Sequence, residues 1–136
     1  MNRTLVICKP DAVEAGLVGQ IVGRLERKGL RLVAAELRHL PDDLARRHYA
    51  EHEGRPFFDD LIAFITRSAV VVMVVEGPDG TWEIVRNLMG ATDPATAAPG
   101  TIRGDLALLT AENLVHGSDG AGAAAREIAL FFPHLR

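Results

Sequence analysis

The chain is nearly without cysteine. Cys8 stands alone among 136 residues, so no internal disulfide can form and no metal cage can be built from thiolates. Its place in the apolar run Leu5-Val6-Ile7-Cys8 marks it as a small buried hydrophobe of a first strand. No apolar stretch approaches the ~18 residues that a membrane span needs. The N-terminus lacks the apolar core of a secretory signal, because its run stops at charged Lys9. A cytoplasmic protein is therefore expected, and the sequon Asn2-Arg3-Thr4 reads as a chance match. Net positive charge is missing too. The formal balance is −3, which argues against nucleic acid as a specific partner but not against a small anion held by a local basic cluster. No repeat, linker or low-complexity tract divides the chain, so residues 1–136 are expected to form a single domain.

Apolar residues, by contrast, are plentiful at 48%, and the mean hydropathy is slightly positive. That is rich for a small monomer. Either a large core or burial between subunits accounts for it.

Glycine and proline cut the chain into short alternating elements. Residues 4–9 form a compact apolar run closed by Pro10, the pattern of a buried central strand. Over residues 17–28, Leu17, Ile21 and Leu25, and also Val18 and Val22, recur at helical spacing, and Gly29 stops the helix. Residues 30–40 alternate in part, as a half-exposed strand does. Pro41-Asp42-Asp43 opens a short helix towards Tyr49 and His52, and residues 57–66 carry another on Phe58, Leu61, Ile62 and Ile65. Residues 69–75 are almost continuously valine, too apolar for an edge strand and placed mid-sheet. A turn over 76–80 leads into a helix ending near Met89. Residues 90–105 show no periodicity, and a loop of that length in a compact domain is more often functional than idle. A last short strand over 114–116 and a helix after Gly120 complete an α+β order of the split βαβ type.

Two nucleotide-binding patterns fail. The P-loop G-x-x-x-x-G-K-[ST] is absent. Gly120-Ala121-Gly122-Ala123-Ala124-Ala125 satisfies the dinucleotide fingerprint, but the chain holds no later strand or ribose-binding acid to complete that fold. His48 and His52, four apart, could grip a metal on one helix face; with no third ligand nearby in sequence, a solvent- or substrate-facing pair is the expected reading.

The informative stretch is Asn113-Leu114-Val115-His116-Gly117-Ser118-Asp119. A lone histidine is usually structural. This one ends a strand just before a helix, at a corner where unpaired backbone N–H groups favour phosphate, and Glu127 on that helix could fold back to orient the ring.

Asn113-x-x-His116-Gly117-Ser118-Asp119 with Glu127-Ile128 resembles the active-site signature of the nucleoside diphosphate kinases. The likeness extends to Lys9-Pro10-Asp11-Ala12, Gly16-Leu17-Val18-Gly19, Tyr49-Ala50-Glu51-His52, Arg55-Pro56-Phe57-Phe58, Arg86, the run from Gly90 to Pro94, and the run from Pro99 to Asp105, all in the family's order. The resemblance implies a ferredoxin-like sandwich of four antiparallel strands covered by helices, all on one face. It implies ping-pong transfer of a γ-phosphoryl group between nucleoside tri- and diphosphates, ribo or deoxyribo, with His116 as nucleophile through Nδ1. Glu127, helped by Ser118, would hold the other ring nitrogen. Arg86, Arg103, Thr92 and His52 would hold phosphates bridged by Mg²⁺, which the nucleotide rather than the protein would carry. Lys9 and Asn113 would contact the ribose 3′-hydroxyl, Tyr49 would position the reacting groups, and Phe57 would stack on the base. The implied state is a homo-oligomer, hexamer or tetramer.

Some positions depart from the pattern. Ser68-Ala69-Val70 replaces a usual Ser-Gly-Pro-Val, Gly120 a frequent serine and Leu106 a frequent phenylalanine, and the segment after Pro133 is short. None of these carries a chemical role. A scaffold that binds nucleotides without turnover is a competing expectation, though loss of His116, Lys9 or Arg86 would have signalled it. A secondary transfer of phosphoryl groups to protein histidines is left open.

Overall fold

The computed structural model describes residues 2–135. Its four strands are β1 (Arg3–Cys8), β2 (Arg31–Arg38), β3 (Val70–Glu76) and β4 (Val115–Gly117), in the antiparallel order β2-β3-β1-β4. The two most apolar strands, β1 and β3, occupy the centre, as their composition requires. Neither alternates apolar with polar residues, so each presents an apolar row to both faces.

Helices accordingly cover both faces. On one, Val6, Cys8, Met73 and Val75 pack against α2 (Val18–Arg27) and α5 (Thr81–Met89), through Ile21, Leu25, Val85 and Met89. On the other, Leu5, Ile7, Val72 and Val74 meet α3 (Asp42–His48), α4 (Phe58–Ile65) and α7 (Ala121–Phe131). The expectation of helices on a single face is corrected by this arrangement. Continuous apolar strands leave no face that water could wet without loss of burial energy.

Two short helices were not read from the sequence. Helix α1 (Pro10–Glu14) starts directly after β1 with proline in its first turn, where the missing N–H costs nothing. Helix α6 (Ile102–Leu106) lies within the stretch expected to be irregular, and Thr101 caps it by accepting from the Gly104 N–H at 3.0 Å. Both are five residues long, too short to show a helical period. The rest of the long loop is irregular, as expected.

Candidate active site

The end of β4 is where the sheet, α7 and the long loop converge. The chain enters β4 through Leu114, whose φ of 74° is the only left-handed non-glycine backbone among the described residues. Such a conformation costs ~1–3 kcal/mol and persists only if held. Here it is held on both sides: Asp11 Oδ2 accepts from the Leu114 N–H at 3.0 Å, and the Lys9 N–H donates to the Leu114 carbonyl at 2.8 Å. Arg103 locks the flanking residues, donating from Nε to the Asn113 carbonyl and from Nη2 to that of Val115, while Nη1 reaches the Gly90 carbonyl. Close packing completes the corner. A Cβ on Gly117 would sit 2.6 Å from Met89 Sδ, so any larger residue there would have to displace the Met89 side chain that packs α5 on β4.

This corner presents His116, paired with Ile7 of β1, to an open cleft of about 530 Å³. Its Nε2 lies 2.8 Å from Glu127 Oε1, and Ser118 Oγ donates to the same carboxylate oxygen at 2.7 Å. Ser118 thus acts on Glu127 rather than on the ring. Glu127 comes from the buried stripe Ala124, Glu127, Phe131 of α7, a carboxylate on a face that is otherwise apolar. Burial alone would raise its pKa, but the bonds from His116 and Ser118 hold it down at about 2. It is therefore an anion that accepts the Nε2–H, and a neutral ring so bonded keeps its lone pair on Nδ1.

The cleft brings together Lys9, Tyr49, His52, Phe57, Arg86, Thr92, Arg103 and Asn113 with His116, the remaining residues to which the family resemblance gives a role. Asn113 bridges Lys9 Nζ, from which it accepts, and the Thr92 carbonyl, to which it donates at 2.9 Å. Arg86 Nη1 donates to the Gly117 carbonyl at 3.0 Å, next to the histidine. Burial lowers Lys9 to about 8, partly offset by the Asp11 charge, and lowers Arg103 to about 10 with help from Arg86. Burial, then the Glu127 charge, raises the Tyr49 phenol well above its ordinary value, so it stays a neutral hydroxyl. Phe57 stands at the rim, 48% exposed, with its ring 5.4 Å from that of His52. Arg103 differs from expectation in one respect. Three of its five N–H groups are spent on backbone carbonyls, leaving two for any ligand.

Three residues of this region have structural places that the sequence does not show. Asp11 follows Lys9 by two positions, and only the strained Leu114 shows why it is there. Arg126 reaches back to the Arg47 and His48 carbonyls. His48 was expected to face solvent or substrate with His52; instead it is buried, 3% exposed, with its ring 4.6 Å from that of His116.

Sheet order and helical layers define a ferredoxin-like α+β sandwich, with a carboxylate-backed histidine at the edge of a basic cleft. Comparison with known proteins gives the family. The family model described as nucleoside diphosphate kinase matches residues 2–136. The nucleoside diphosphate kinase of Mycobacterium avium is 61% identical over 133 residues, covering 97% of each chain. The crystal structure of a nucleoside diphosphate kinase family protein from Babesia bovis superposes with a TM-score of 0.94 at 48% identity, over 97% of this chain and 88% of that one. A halophilic nucleoside diphosphate kinase from Halobacterium salinarum, solved in complex with CDP, gives 0.92 at 54% identity, with the same two coverages of 97% and 88%. The chain belongs to the nucleoside diphosphate kinase family and is a phosphotransferase.

Proposed function

We propose that the chain moves the γ-phosphoryl group of a nucleoside triphosphate onto His116 Nδ1 and then onto a nucleoside diphosphate, ribo or deoxyribo. The observation that carries this is the Nε2–Glu127 bond, which leaves Nδ1 as the ring's free nucleophile. In the first half-reaction the Nδ1 lone pair attacks phosphorus, the bond to the bridging oxygen breaks, and the diphosphate leaves. The second half-reaction runs in reverse with the acceptor. Glu127, steadied by Ser118, stabilises the positive charge that the ring gains.

Arg86, the two free N–H groups of Arg103, His52 and Thr92 are assigned to the phosphates. Fixed cations there stabilise charge on the transferring group without reorganising. Lys9 and Asn113, already bonded to each other, are assigned to the 3′-hydroxyl, and Tyr49 to positioning. Phe57 at the rim is assigned to stacking on the base, which every base permits. Among the described residues, those lining the cleft include no carboxylate, so a divalent cation would be held by phosphate oxygens rather than by the protein. We take that cation to be Mg²⁺, which neutralises phosphate charge. The reading includes a cytoplasmic location, a single working domain, no specific nucleic-acid partner and a homo-oligomer, hexamer or tetramer. Exposed Leu37, Leu108 and Leu109 support the last of these as side chains for a subunit to cover.

Initial rates with ATP and GDP varied together test the scheme. Parallel double-reciprocal lines are expected for a phosphoenzyme, and lines that intersect would mean direct transfer in a ternary complex. Acceptors should differ little by base. A 3′-deoxy diphosphate should be poor, because it leaves Lys9 and Asn113 without their partner; equal rates with and without that hydroxyl would remove their assignment.

A further inference from the structure

Beside His116, adjoining the nucleotide cleft through Tyr49, His52, Arg86 and Gly117, lies a recess of about 210 Å³, too small by itself for a nucleotide. His48 forms one wall. Both of its ring nitrogens are buried and neither meets a hydrogen-bond partner among the described protein groups, which is costly for an imidazole unless water or an ion supplies one. The ring is 97% buried by the same 3% exposure, and it meets His116 edge to face. One donor atom each from His48, His116 and Glu127 lies within 4.8 Å of the others.

We propose that this recess is a binding site for a single borderline-soft divalent cation of the zinc class, held by His48, His116 and Glu127, and that its occupation inhibits phosphoryl transfer. Two imidazoles and one carboxylate form a donor set suited to such ions rather than to Mg²⁺. Tetrahedral ligation with bonds of about 2.1 Å separates donors by roughly 3.4 Å, so the three need to close in by at most about 1.4 Å. The charges around the recess are nearly balanced: Arg86 and Arg126 face Glu51, Asp119 and Glu127. An ion bound only by bulk electrostatics gains little there, whereas one that bonds to nitrogen does.

The inhibitory part rests on the reading of His116 as nucleophile and Glu127 as its partner. At Nδ1 the ion would take the attacking lone pair. At Nε2 it would take the place of the ring proton, which moves to Nδ1 and occupies the attacking lone pair. The binding part needs no such assumption.

The full-length, unphosphorylated, nucleotide-free chain is titrated with Zn²⁺, followed by calorimetry and by the imidazole nitrogen signals in NMR. We expect one site per chain, with His48 and His116 shifted together while His39 and His134 stay unchanged. Mg²⁺ at the same concentration should shift neither. His48→Gln should weaken Zn²⁺ at least about tenfold, and if that variant does not fold, the wild-type nitrogen shifts still decide. Binding confined to surface histidines, or none, would overturn the site; it would mean that water alone satisfies His48. Labelling of the protein by Mg-ATP should then fall in proportion to the zinc-filled fraction and return with a zinc-selective chelator. Binding with labelling undiminished would overturn the inhibition and leave the site.

Discussion

Glu127 is a carboxylate only 5% exposed, yet the two hydrogen bonds it accepts keep it ionised. An amide in its place would retain much of the shape but lose the charge that stabilises a phosphorylated ring. Glu127→Gln is expected to lower kcat by about 10–100-fold, the usual cost of losing a group that orients a reacting histidine, while the Kd for a nucleoside diphosphate changes little. Unchanged turnover would mean that the imidazole is oriented by something else. Lys9 gives a second test at this scale, because burial lowers it to about 8. Above that pH the ammonium loses its proton and with it the charge-assisted hydrogen bond to the 3′-hydroxyl, so kcat/KM should fall on the alkaline side. In Lys9→Arg the remaining activity should lack that limb. Stability runs the opposite way. Between about 8 and the ordinary value of 10.5, the unfolded chain binds more protons than the folded one, so Lys9 makes the fold more stable as pH rises through that window. A denaturation series across those pH values reads the sign directly.

At the scale of elements, what the sequence made legible depended on length and period. The central strands and the amphipathic α2 were readable because their side chains must satisfy one geometry over many residues. Helices α1 and α6 were not, since five residues give barely more than one turn. The one-face expectation failed because it came from fold resemblance rather than from the unbroken apolar runs of β1 and β3, which already required cover on both sides. Helix α7 offers a test here. Gly120 is its N-cap, with extended backbone and no side-chain cap bond, and neither Gly120 nor Gly122 has a neighbour within 4 Å of where a Cβ would stand. Gly120→Ser should stabilise by a few tenths of a kcal/mol and Gly122→Ala by up to about 1 kcal/mol, with turnover unchanged in both. Urea denaturation at fixed protein concentration measures the first part. A several-fold loss of turnover in folded Gly120→Ser would show instead that phosphate approaches the backbone at that point.

Across the whole molecule, the candidate site was more legible than the architecture that builds it. His116, Glu127 and the cleft residues sit in short runs whose spacing survives in sequence. The Asp11 and Lys9 clamp on Leu114 and the burial of His48 join residues about 100 and 68 positions apart, and no local pattern marks such pairs. Every part of the functional account nevertheless passes through one atom, Nδ1 of His116. The measurement that reaches it most directly is a chase. The chain is incubated with γ-labelled ATP and Mg²⁺, freed of nucleotide, and then given unlabelled GDP. The account predicts one acid-labile, alkali-stable label per chain, its transfer to GTP on adding GDP, and no label at all in His116→Ala. Label that persists in His116→Ala, or that GDP cannot remove from the wild-type chain, would contradict it.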